Sequence, residues 1–226
     1  MKRLIALLLA SMIMPAWGGI IIYGTRVIYP AQKKDITVQI LNDDSRSSLV
    51  QAWIDDGDVS IPPEKIKVPF MLTPPVVRVA GGAGQQLKIK SLVNHLATDR
   101  ESLFYLNVLD IPPNSAEGEG KNRIKFAMQN RIKLIYRPQG ISGVDKKSFS
   151  RLKLNSTAGG IKVKNESANW IVIPTIEGGG KINNQTLLLA PRSEQLIAVK
   201  TFVSRYTVTL IDDHGNYLSE KVDVRK

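Results

Sequence analysis

From residue 122 to 133 the chain reads N-R-I-K-F-A-M-Q-N-R-I-K. Ile124, Phe126 and Met128 fall on one face of an extended backbone, and Arg123, Lys125, Gln129 and Arg131 on the other. Alternation with period two is the signature of a β-strand with two unlike faces. The same style recurs throughout. Short apolar runs at 20–23, 26–29, 35–41, 49–54, 70–72, 76–79, 85–91 and 103–109 are expected strands, and the alternating segment continues to Tyr136. The second half repeats it at 151–154, 160–164, 170–175, 185–189, 195–200, 206–210 and 218–224. Turn residues separate the runs: Asn42-Asp43-Asp44-Ser45, Thr73-Pro74-Pro75, the hairpin expected at Gly81-Gly82-Ala83-Gly84, and Asp212-Asp213-His214-Gly215-Asn216. No sustained helical or heptad period interrupts them.

The expected fold is therefore all-β. The chain has 226 residues, 43% of them hydrophobic, enough for two cores of ordinary domain size. Composition changes after Pro138, where 139–147 holds Gly140 and Gly143 and reads as a linker. Two antiparallel sandwiches in series are expected, over 19–138 and 148–226, each near the size of an immunoglobulin-like domain. Trp53 is expected in the first core.

Met1-Lys2-Arg3, the apolar run from Leu4 to Met14 and Ala16-Trp17-Gly18 read as a secretion signal over 1–18, cleaved after Gly18. The competing reading is an uncleaved anchor, since residues 4–25 carry no charge. Pro15 and Gly18-Gly19 interrupt that run, however, and no membrane insertion is expected after cleavage. Export normally permits disulfides, yet Cys is 0, so the fold must hold by its cores alone. The absence of cysteine also excludes thiol nucleophiles, zinc–thiolate sites and redox motifs. The net charge of +11 is scattered rather than blocked, with no RNA-binding or zinc-finger pattern. It reads as a solvated surface biased towards acidic partners, not nucleic acid.

His95 and His214 lack metal-ligand partners at useful spacing, and Asp212-Asp213 lacks a third ligand. No G-x-S-x-G, P-loop or H-E-x-x-H occurs. No enzyme activity, cofactor or metal is expected.

The run D-R-E-S-L-F-Y-L-N-V-L-D-I-P-P at 99–113 and R-I-K-L-I-Y-R-P at 131–138 resemble the PapD-like periplasmic pilus chaperones. Supporting matches are T-P-P-V-V-R at 73–78, N-D-D-S-R at 42–46, L-L-A-P-R-S at 188–193 and D-D-H-G-N at 212–216. The resemblance implies two immunoglobulin-like domains in a boomerang arrangement, in the periplasm. It implies a partner class, pilus or fimbrial subunits, each lacking its final strand, which the chaperone supplies before delivery to an outer-membrane usher. By the same resemblance Ile124, Phe126 and Met128 match the donor residues, and Arg26 and Lys133 match the pair that binds the subunit's C-terminal carboxylate. Glu101, Arg137 and Asp213 match an interdomain charge cluster. The short loop before the donor strand resembles the short-loop subclass.

On the residues alone, a two-domain adhesive or structural surface protein that keeps its alternating strand for itself remains open. So does capping of the free edge by self-association. Lys133 lies on the opposite parity from Ile124, Phe126 and Met128, so a bend or a face-switching cleft is needed if all four serve one site.

Overall fold

The computed structural model describes residues 18–93, 95–113, 126–199 and 202–225. Most of the expected signal segment and the expected donor residue Ile124 lie outside them. The chain is all-β, with short 3-10 turns at Pro63–Lys65 and Lys146–Arg151.

The first half contributes β1 (Ile20–Ile22), β2 (Arg26–Pro30), β3 (Asp35–Asn42), β4 (Ser48–Asp55), β5 (Phe70–Thr73), β6 (Val76–Val79), β7 (Gly84–Ser91), β8 (Ser102–Ile111) and β9 (Met128–Arg137). They form a four-stranded sheet in the order β1-β3-β7-β5 and a five-stranded sheet in the order β2-β9-β8-β4-β6. The sheets enclose one core because one parity of each strand is apolar. Val50, Ala52 and Ile54 of β4 meet Phe104, Leu106 and Val108 of β8 and Leu134 of β9, opposite Val38, Ile40, Leu87 and Ile89. Tyr29, Phe70, Phe104 and Tyr136 form an aromatic cluster at one end, with Phe70 and Phe104 edge to face at 4.9 Å. The Tyr29 hydroxyl is satisfied by the Lys33 and Lys34 carbonyls and the Ser91 N–H. Trp53 is not in this core. It shares the parity of Gln51 and Asp55 and lies half-buried on the outer face of the five-stranded sheet.

Polar corners move the chain between sheets. The buried Asn42 amide donates to the carbonyls of Arg46 at 2.8 Å and Val79 at 3.0 Å, pinning the β3–β4 turn to the end of β6. Gly81 packs beneath that turn, where a Cβ would lie 2.2 Å from the Ser45 carbonyl oxygen. The glycine run thus joins β6 to β7 in the other sheet and is not a hairpin.

The second half contributes β10 (Leu152–Thr157), β11 (Gly160–Asn165), β12 (Ile171–Ile173), β13 (Thr175–Glu177), β14 (Leu187–Leu189), β15 (Glu194–Ile197), β16 (Arg205–Ile211) and β17 (Tyr217–Arg225). A six-stranded sheet, β13-β16-β17-β10-β11-β15, packs with the β12-β14 pair around a second core. The strand expected over 170–175 is split at Pro174, which has no N–H to give a ladder: β12 pairs with β14, and β13 with β16. Arg151 ends a 3-10 turn instead of opening a strand, because Asp145 and Ser148 form a reciprocal capping box at its start.

Two pairings depart from the antiparallel expectation. β2 runs parallel to β9, and β10 parallel to β17. The first of these builds the site described next.

Candidate functional site

β2 is short. Its register on β9 runs from Arg26 opposite Lys133 to Pro30 opposite Arg137. Residues 128–132 of β9 pair with β8 on one side and, among the described residues, with no strand on the other. That leaves a free backbone edge in line with β2.

The apolar parity of β9 changes character along this edge. Leu134 is fully buried, Ile132 packs partly against the core, and Met128 is 63% exposed. Phe126, just outside the strand, is 75% exposed. An ordinary strand would keep this row over its own core. Here the row outruns the core, and its last apolar side chains face solvent beside an unpaired edge. Phe126 and Met128 therefore project from the molecule.

Lys133 has the other parity and lies on the outer face. Arg26 is its ladder partner, so the two side chains leave neighbouring strands on that same face, from backbones roughly 5 Å apart. The apolar row and the cations thus occupy opposite faces of one strand. Neither cation forms a salt bridge among the described residues. Arg26 donates from Nη1 to the Ile211 carbonyl at 3.3 Å, and its buried Nε has no partner among the described residues. Burial, then the charges of Arg26 and Arg131, hold the Lys133 ammonium below its ordinary value. Burial also lowers Arg26, offset in part by Asp213, Asp212 and Glu101. The two like charges repel, which is part of what lowers Lys133. An anion placed between them would relieve the repulsion and satisfy the idle donors.

Glu101, Arg137 and Asp213 are brought together where the two sandwiches meet. Arg137 Nε donates to Glu101 Oε1 at 2.5 Å, while Nη1 and Nη2 donate to the two Asp213 oxygens at 2.6 and 2.8 Å. Glu101 also accepts from the Asn169 amide at 3.1 Å and the Trp170 N–H at 2.7 Å. Burial pushes the Glu101 carboxyl up, with the Arg137 charge opposing it. Burial would lower Arg137, but its bonds to Asp213 and the charge of Glu101 outweigh that and raise it. Asp213 is free for this role because Asp212 serves the turn, accepting from the His214 and Asn216 backbone. Arg192, paired to Asp99 at 2.5 Å, adds a more exposed bridge.

A second network was not foreseen. Arg131 crosses over β8 to reach Asp55 on β4, with Nη2 at 2.5 Å from Oδ1 and Nε at 3.3 Å from Oδ2. Its guanidinium lies 3.8 Å from the Tyr105 ring centroid. Asn107 donates to Asp55 Oδ2 at 2.6 Å and accepts from Gln129 at 2.8 Å. The polar parity of W-I-D and of Y-L-N marks these residues as outward. Their meeting depends on the order of β4, β8 and β9, which no local pattern reveals.

Residues 19–142 match the family model described as pili and flagellar-assembly chaperone, PapD N-terminal domain. Among curated proteins, the chain is 56% identical over 224 residues to the probable fimbrial chaperone YehC of Escherichia coli K12, covering 98% of this chain and 94% of that one. It is 40% identical over 216 residues to the chaperone protein MrkB of Klebsiella pneumoniae, covering 92% of each. Among solved structures, the Pseudomonas aeruginosa CupB2 chaperone superposes with a TM-score of 0.78 at 29% identity, over 91% of this chain and 100% of that one.

Proposed function

The chain belongs to the pili and flagellar-assembly chaperone family, and from that premise we propose that it holds fimbrial subunits by lending them the free edge of β9. It is a fimbrial chaperone. The observation that carries the mechanism is the exposed Phe126–Met128 row beside an edge that, among the described residues, has no partner strand, next to a cation pair that has no ion-pair partner among them. A subunit lacking a strand exposes a groove and an unpaired ladder, both prone to aggregation. The lent edge completes the ladder, and Met128, Phe126 and Ile124 fill the groove. Each buried apolar side chain contributes about 1.5–3 kcal/mol, and each backbone bond about 0.5–1.5 kcal/mol.

The subunit's C-terminal carboxylate sits between Arg26 and Lys133. β2 already occupies the edge from Lys133 onward. The guest strand therefore runs along the edge up to residue 132 with its C-terminus at Lys133, parallel to β9 and in line with β2. The Glu101–Arg137–Asp213 cluster holds the angle between the sandwiches and so the shape of the cleft. The domains span 19–138 and 148–226 with 139–147 as linker. A signal over 1–18 directs the chain to the periplasm, and the loaded chaperone passes its subunit to an outer-membrane usher without catalysing a reaction. The test is co-expression with a fimbrial subunit followed by pull-down. Arg26→Ala and Lys133→Ala remain folded and lose the subunit. Undiminished capture by both variants overturns the anchor.

A further inference from the structure

Parity alone does not fix where the guest strand stops. A one-residue slip turns every side chain to the wrong face, but a two-residue slip restores the faces and shifts the guest by only about 7 Å. β9 carries a cation at that distance. Arg131 and Lys133 share the outer parity and stand two residues apart, both beside the free edge or at its end. An unpaired Arg131 would offer a second berth for a carboxylate, with better bidentate geometry than a lysine.

The structure withdraws that berth. Asp55, buried to 3% exposure, takes both Nη2 and Nε of Arg131. Tyr105 lies under the guanidinium, and Asn107 and the Gly57 N–H hold the carboxylate from the other side at 2.6 and 2.7 Å. Lys133 has no ion-pair partner among the described residues. We propose that Asp55 is a specificity-determining residue: by sequestering Arg131 it leaves Arg26–Lys133 as the carboxylate berth along the described edge, 128–133, and so excludes the two-residue slip. The inference rests on β9 being the lent strand and deepens that reading. Asp55 acts through Arg131 and need not touch the guest.

A guest shortened by two residues at its C-terminus would bring its carboxylate level with Arg131 while keeping its side-chain parity. The probe is a fimbrial subunit that the wild-type chain retains in the pull-down, co-expressed as the full subunit and with its last two residues deleted. The wild-type chaperone retains the full subunit and releases the shortened one. Asp55→Asn, with Arg131 freed, retains roughly tenfold or more of the shortened subunit relative to wild type, the effect of one charge-assisted contact. Adding Arg131→Gln to Asp55→Asn removes that gain, which an effect on folding alone would not do. Thermal melting checks each variant, and Asp55→Ser replaces Asp55→Asn if the latter does not fold. If neither Asp55 variant retains more of the shortened subunit than wild type does, or if the gain survives Arg131→Gln, the inference is overturned. Failure of the wild type to retain the full subunit would count instead against the lent-strand reading.

Discussion

Arg137→Met probes the joint between the sandwiches. The Glu101 side chain is completely buried and that of Arg137 is 12% exposed, so removal of the guanidinium strands a carboxylate out of water. Breaking one side of a buried pair costs about 3–5 kcal/mol. Glu101 keeps the Asn169 and Trp170 donors, and Asp213 is exposed enough to be hydrated, which places the expected loss near the lower end, about 3 kcal/mol. With an m-value of about 2–3 kcal/mol/M, the urea midpoint falls by at least about 1 M. Trp170 fluorescence reports the event directly, since its backbone N–H is bonded to Glu101. Glu101→Gln in the Arg137→Met background removes the stranded charge and recovers about half the loss. The pH dependence has a definite sign. Without Arg137, burial holds the Glu101 carboxyl further above its unfolded value. The variant is then relatively most stable below that unfolded value and loses ground as pH rises towards the folded one. The deficit against wild type is therefore larger at pH 7.5 than at pH 5. A loss under about 0.5 kcal/mol, or a double variant no better than Arg137→Met alone, would refute the reasoning.

Three further outcomes are expected. Burial would raise the Asp55 carboxyl, but bonds from Arg131, Asn107 and the Gly57 N–H outweigh it and hold it below its usual range. Its stabilisation is thus complete above about pH 4 and is lost as pH falls through the folded value, so Asp55→Asn flattens the acid limb of an unfolding-versus-pH curve. Gly81→Ala forces a Cβ against the Ser45 and Asp44 backbone and lowers stability by about 2 kcal/mol or more, read by chemical denaturation. Met128→Glu leaves the melting temperature within a degree or two, because the side chain is exposed, and abolishes subunit capture in the pull-down.

Local pattern carried most of the secondary structure. Alternation along 49–54 and 103–109 marks strands, and the structure extends each by a residue or more at its ends. Trp53, expected in the core, lies outside it, because Val50, Ala52 and Ile54 hold the inward parity. The Pro174 break and the Asp145 cap are short-range chemistry that a closer reading of the chain contains. The site was only half legible. The row of Phe126 and Met128 is visible as alternation, but its exposure follows from where the core ends. That Arg26 stands beside Lys133 depends on a parallel pairing between segments more than 100 residues apart. No local rule encodes that pairing, and the family resemblance alone suggested it. The Asp55–Arg131 pair needs the order of three strands and was missed for the same reason.

Amide hydrogen exchange along residues 128–132, measured on the free chain and on its complex with a fimbrial subunit, tests the lent edge most directly. In the free chain the amides facing β8 are protected and those facing away exchange quickly; in the complex the outward amides become protected as well. Outward amides that exchange equally fast with the subunit bound would contradict the account, because the guest would then be held somewhere other than on β9.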